Sequence, residues 1–81
     1  MEDVTLDEVI DVLRDVNEDP DYEHSTTLVD ARELDSFDIL SIISALDDEF
    51  DISIPAKDVV PENFNSAQAI HAMVCRLMDE D

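Results

Sequence analysis

The chain has 81 residues, enough for one domain with a modest core but little room for a large catalytic cavity, since a domain near this size buries only roughly 60–65% of its unfolded surface. Twenty-three Asp and Glu against four Lys and Arg give a formal net charge of −19, which argues against nucleic acid as a ligand and steers the protein toward basic partners. The apolar share of 44% is too high and too regularly placed for an acidic disordered tail, and the lone Cys75 excludes both an intramolecular disulfide and a thiolate metal cluster.

Thr5-Leu6-Asp7-Glu8 has the pattern of a capping box, with Val4 and Val9 placed for a hydrophobic staple. Leu6, Val9, Ile10, Leu13 and Val16 then follow at helical spacing and predict the first helix. Residues 17–34 contain Pro20 and many polar side chains, a long stretch that needs anchoring, and Leu28, Val29 and Leu34 are the expected anchors. Asp35 is a good N-cap for a second helix, and Asp38 adds charge favourable to the dipole in its first turn. Ile39, Ile43, Leu46 and Phe50 predict one buried stripe on that helix, widened by Leu40 and Ile42. Phe50, Ile52 and Ile54 alternate with Asp51 and Ser53, yet no second strand is available to pair with them, so the segment reads as an extended connector.

After Pro55, residues 56–60 suit one short helical turn interrupted by Pro61, with Val59 and Phe64 facing inward. Ser66 is the expected N-cap of a last helix whose apolar face is Ile70, Met73, Val74 and Leu77 and which ends near Met78. The chain has no glycine, so left-handed turn positions should fall to Asn or Asp. The sum is an all-α fold, a single domain over 1–81 with three main helices plus a short third one. The expected core is Leu6, Ile10, Leu13, Leu28, Ile43, Leu46, Phe50, Ile54, Ile70 and Val74.

Asp15, Asn17, Asp19 and Asp21 alternate as the start of an EF-hand loop would, but Pro20 stands where the sharp turn needs glycine and Thr26 where a bidentate Glu is needed. A solvated acidic loop is the better reading. Ser36 is the candidate functional residue: it opens the second helix, where unpaired N–H groups and the positive end of the dipole favour a phosphate attached at or beside it. Signalling phosphorylation there would meet repulsion from the surrounding carboxylates. A hydrolase triad of Ser36 with His24 or His71 and a distant carboxylate is disfavoured, since no glycine elbow exists and Asp35, adjacent to the serine, cannot orient the base across it. His24 and His71 read as surface residues, Cys75 as a small semi-buried hydrophobe and Arg76 as a cation suited to a helix C-terminus. With no leader-like segment and no run of roughly 20 apolar residues, a cytoplasmic setting is expected and membrane insertion is not.

In this order of elements the chain resembles an acyl carrier protein over nearly its whole length. The strongest stretch is Leu34-Asp35-Ser36-Phe37-Asp38, continuing through Ala45-Leu46-Asp47-Asp48-Glu49-Phe50-Asp51-Ile52 and Ile54-Pro55; Pro61-Glu62-Asn63-Phe64-Asn65-Ser66 through Ile70 is similar to the family's entry to its last helix. The resemblance implies a small four-helix bundle in which Ser36, flanked by Asp35, receives 4′-phosphopantetheine from coenzyme A through a Mg²⁺-dependent phosphopantetheinyl transferase. It also implies a carrier, not an enzyme: the arm's thiol holds acyl or aminoacyl cargo as a thioester for partner enzymes with basic docking surfaces. Asp38, Asp47, Asp48 and Glu49 are the docking candidates, with Phe37 as an exposed apolar contact. A monomer is expected, and the space beside the second helix is expected to open to an apolar chain.

Phe37 replaces the more usual Leu or Met, and Ser41 and Ser44 stand where fatty-acid carriers often place an acidic and an apolar residue. Fatty-acid, polyketide, D-alanyl and other aminoacyl or peptidyl cargo therefore all stay open. An unmodified acidic adaptor with the same fold is the competing reading.

Overall fold

Thr5 keeps an extended backbone while its Oγ1 accepts the Glu8 N–H at 3.2 Å, so the chain enters α1 (Leu6–Val16) on a side-chain cap. At α2 (Ser36–Phe50) the cap works in both directions. Asp35 Oδ1 accepts the Asp38 N–H at 2.8 Å, and Asp38 Oδ2 accepts the Asp35 N–H at 3.3 Å. A 3₁₀ turn (Ala56–Asp58), α3 (Pro61–Phe64) and α4 (Ala67–Glu80) follow, and Ser66 Oγ accepts the Ala69 N–H at 3.0 Å at the start of α4. These elements come from a computed structural model that describes residues 4–80, among which there is no strand. The fold is a small all-helical bundle of the acyl-carrier type.

One hydrophobic cluster lies where α1 packs on α2 and α4 and α3 packs on α4. Ile10, Leu13, Leu28, Leu46, Ile70 and Val74 are buried in it as expected, and Val4 and Val9 are buried beside the α1 cap. Four expected core residues, Leu6, Ile43, Phe50 and Ile54, are only half-buried and pack against its edge. On α2 the deepest positions are Ile42 and Leu46. Leu40 is 62% exposed and Val59 37% exposed, which corrects the inward placement of both: each lies at the rim of an open groove.

The short third helix is also corrected. The short helical turn expected over 56–60 is present as the 3₁₀ turn Ala56–Asp58, but Pro61, expected to be a breaker, begins α3, because a proline at the first helical position loses no intrahelical bond. Among the described residues, two lie in the left-handed region. Asp51 (φ 53°) ends α2, as expected for a chain without glycine, whereas Arg32 (φ 60°) does so although arginine has no local preference for it.

The long 17–34 segment is held at several points. Leu28 and Leu34 are buried, the Leu34 N–H donates to the Leu28 carbonyl at 2.9 Å, and the Leu28 N–H donates to the Asn65 carbonyl at 2.8 Å. Asn65 Oδ1 accepts the Val29 and Asp30 N–H groups, each at 3.0 Å. Tyr22, absent from the expected core, is fully buried, and its hydroxyl lies 2.5 Å from the Asn17 carbonyl and 3.3 Å from that of Leu13. Burial first, then the charges of Asp38, Asp19 and Glu33, against the opposing pull of Arg14, push its phenol up to about 12.

Candidate functional site

Ser36 is the first residue of α2, and its side chain is exposed. At this end the Asp38 N–H is taken by Asp35 Oδ1 and the Ile39 N–H by the Asp35 carbonyl at 3.0 Å. The Ser36 and Phe37 N–H groups have no acceptor within the helix, as geometry requires of the first turn. The capping box thus fixes the serine in place while leaving two backbone donors and the dipole's positive end beside its hydroxyl.

Ser36 opens onto a groove of about 540 Å³ bounded by Val29, Leu34, Ile39, Leu40 and Val59, with Arg32 and Asp35 also in its wall. A second hollow of about 140 Å³ shares Val29, Ile39 and Val59 with it and reaches Val60, Pro61 and Phe64. The exposure of Leu40 and Val59 follows from this: they are groove walls rather than core. The wall formed by the 3₁₀ turn is tied to α4 by the ion pair between Arg76 and Asp58, 2.8 Å. The Asn63 Nδ2 group donates to the Asp58 carbonyl at 2.7 Å.

The five docking candidates separate by environment. Phe37 is 80% exposed, and Asp48 and Glu49 are exposed. Phe37, Leu40, Ser41, Ser44 and Asp48 recur at helical spacing along one outer face, and the last four line a shallow depression there. Asp38 is half-buried, with its Oδ2 engaged in the cap and by Asn17 Nδ2 at 3.3 Å. Asp47 is half-buried, and its Oδ1 accepts the Ile54 N–H at 3.1 Å. Asp38 and Asp47 thus hold up the two ends of α2. The Asp47–Glu49 turn lies roughly 17–20 Å along the helix from Ser36, at 1.5 Å per residue.

His24 Nδ1 pairs with Asp21 Oδ2 at 2.9 Å, and both are exposed with Glu23 in the acidic loop. His71 is half-buried and lies 2.6 Å through Nε2 from the Val4 carbonyl, so that nitrogen carries the proton and donates it. Cys75 Sγ is 3.4 Å from the same nitrogen. Each imidazole is thus engaged with a partner other than Ser36. Among the described residues no helix is long and apolar enough to cross a membrane.

Fold and site together define a small helical bundle of the acyl-carrier type that presents one serine at the start of its second helix, beside an apolar groove. The chain is 37% identical over 41 residues to aminoacyl carrier protein 1 of Bradyrhizobium diazoefficiens, a match that covers 51% of this chain and 46% of that protein. No family model and no solved structure matches the chain. The chain spans less than half the length of that relative.

Proposed function

We propose that this protein is a cytoplasmic, monomeric carrier whose Ser36 bears 4′-phosphopantetheine. The observation that carries the reading is the exposed Ser36 hydroxyl, fixed by a two-way cap at a helix N-terminus and opening onto an apolar groove. These residues fit the arm. Two backbone donors of the first turn suit a phosphodiester, Ser36 Oγ has room for substitution, and the groove offers apolar walls to the pantetheine chain beyond the phosphate. Bound there, the arm supplies a thiol that holds cargo as a thioester.

Attachment needs no catalysis by this chain. The Ser36 oxygen bonds to the phosphorus nearest pantetheine, a P–O bond of the coenzyme A diphosphate breaks, the nucleotide leaves, and the serine proton passes to a base of the transferase. In this reading Ser36 receives the arm, Asp35 fixes the helix start, and partner enzymes do the chemistry. Phe37, Asp48 and Glu49 form the reversible contact surface, where exposed charge gives fast encounter with basic partners. Asp38 and Asp47 contribute charge to that face while bracing α2.

Aminoacyl cargo is favoured within this reading. The relative is an aminoacyl carrier protein, and Ser41 and Ser44 leave the outer face of α2 without the usual fatty-acid-carrier residues. The test is Ser36→Ala in the purified protein and in cells. A carrier keeps its fold, takes up no thioester-linked, hydroxylamine-labile cargo and loses function; retained function and partner binding would instead identify an unmodified adaptor.

A further inference from the structure

The chain's cations are few, and their placement is informative. Arg14 pairs with Glu23 at 3.5 Å and Arg76 with Asp58 at 2.8 Å, while Lys57 sits exposed in the 3₁₀ turn. Arg32 has no ion-pair partner among the described residues, and it lines the same groove as Ser36. Its backbone is left-handed at φ 60°, a conformation unfavourable to a residue with a Cβ such as arginine.

The turn that carries Arg32 is braced rather than loose. The Arg32 N–H donates to the Val29 carbonyl at 3.0 Å, and the preceding Val29 and Asp30 N–H groups are held by Asn65 Oδ1. Asn65 Nδ2 also donates to Asp30 Oδ2 at 3.1 Å. A protein of net charge −19 thus places one of its few cations in the wall of the groove that Ser36 shares, on a braced turn.

We infer that Arg32 is the positioning residue for the phosphodiester on Ser36, pairing with its non-bridging oxygens and orienting the arm into the groove between Leu40 and Val59. The inference rests on the carrier reading above. An added anion at Ser36 falls beside Asp35 and Asp38 in an already negative field, where a nearby cation offsets the repulsion. A guanidinium also presents paired donors that match phosphate oxygens, which a point charge does not. The phosphodiester is bonded directly to Ser36 at the groove mouth, whereas the cargo thioester lies at the far end of the arm. The phosphate, not a cargo carboxylate, is therefore the group that shares the groove wall with Arg32.

The test compares wild type, Arg32→Asn and Arg32→Lys, each apo and fully loaded by a permissive transferase with coenzyme A and Mg²⁺, with loading verified by intact mass. Asparagine removes the charge but tolerates the left-handed backbone. Urea unfolding gives the effect of loading on the unfolding equilibrium constant for each protein. Loading should cost Arg32→Asn about two- to fivefold more in that constant than wild type, the range of a solvent-exposed ion pair, with Arg32→Lys between them and the gap shrinking in high salt. The Arg32 Nε–Hε resonance should also move when the wild type is loaded. Equal loading effects in wild type and Arg32→Asn overturn the role of Arg32 and leave the carrier reading standing. Failure of folded wild type to gain mass with several transferases overturns both.

Discussion

Tyr22→Phe tests how the loop that carries one wall of the groove is held down. The variant keeps the buried ring and removes only the hydroxyl that reaches the Leu13 and Asn17 carbonyls. The Leu13 carbonyl still accepts the Asn17 N–H at 2.9 Å, so the Asn17 carbonyl is the one left without its partner. One part-buried acceptor stripped of its hydrogen bond costs about 1–2 kcal/mol, or roughly 4–16 °C in Tm for a domain of this size. A second readout comes at high pH. The phenol's ordinary pKa of 10.0 is raised to about 12 in the fold. Between those values the unfolded chain has lost its phenolic proton while the folded chain keeps it. The unfolded state then binds fewer protons, and stability falls as pH rises. The contribution is fully present below pH 10 and is lost as pH rises through about 12, a total on the order of 2–3 kcal/mol. Urea unfolding across this window, for wild type minus Tyr22→Phe, cancels Cys75, Lys57 and the arginines. Tyr22 is the single tyrosine of a chain without tryptophan, so tyrosinate absorbance reports its titration directly. A variant as stable as wild type at neutral pH, or one that keeps the full alkaline loss, would refute the anchoring role.

Asp35→Ala removes the carboxylate that accepts the Asp38 N–H and leaves only the return bond from the Asp35 N–H to Asp38 Oδ2 in the α2 cap. It should cost about 1 kcal/mol by thermal or urea unfolding, and in the carrier reading it should also slow loading at Ser36 by loosening the first turn. Leu46→Ala empties a fully buried position on α2 and should cost about 3 kcal/mol. That is a large part of the roughly 4–12 kcal/mol expected for a domain of this length, so its urea midpoint should fall steeply.

α1, α2 and α4 are legible in the sequence because each couples an N-cap to an apolar stripe: Thr5 before Leu6 and Val9, Asp35 before Ile42 and Leu46, Ser66 before Ile70 and Val74. The short third helix is harder to place because Pro61 reads as a breaker when a helix is thought to precede it and as a starter when one follows. Hydrophobicity alone turns Leu40 and Val59 inward, since it does not distinguish a core from the wall of an open groove. Tyr22 is easily passed over in a polar stretch, although a lone aromatic in a long loop that needs anchoring is the available signal.

At the site, Ser36 and its Asp35 cap are readable because capping is local chemistry. The walls of the groove and the place of Arg32 in them are not. The turn that leads into Arg32 is held at its Val29 and Asp30 N–H groups by Asn65, more than thirty residues away in the chain. The His71–Val4 link has the same character: sixty-seven residues separate the partners, and no local pattern announces it.

The most direct measurement is the intact mass of the folded protein after incubation with coenzyme A, Mg²⁺ and a permissive phosphopantetheinyl transferase, together with proteolytic mapping of the modified residue. A carrier gains one phosphopantetheinyl group, mapped to Ser36 and absent from a folded Ser36→Ala control. No gain in the folded wild type with several transferases, or a gain that persists in Ser36→Ala, would contradict the assignment of Ser36 as the attachment site.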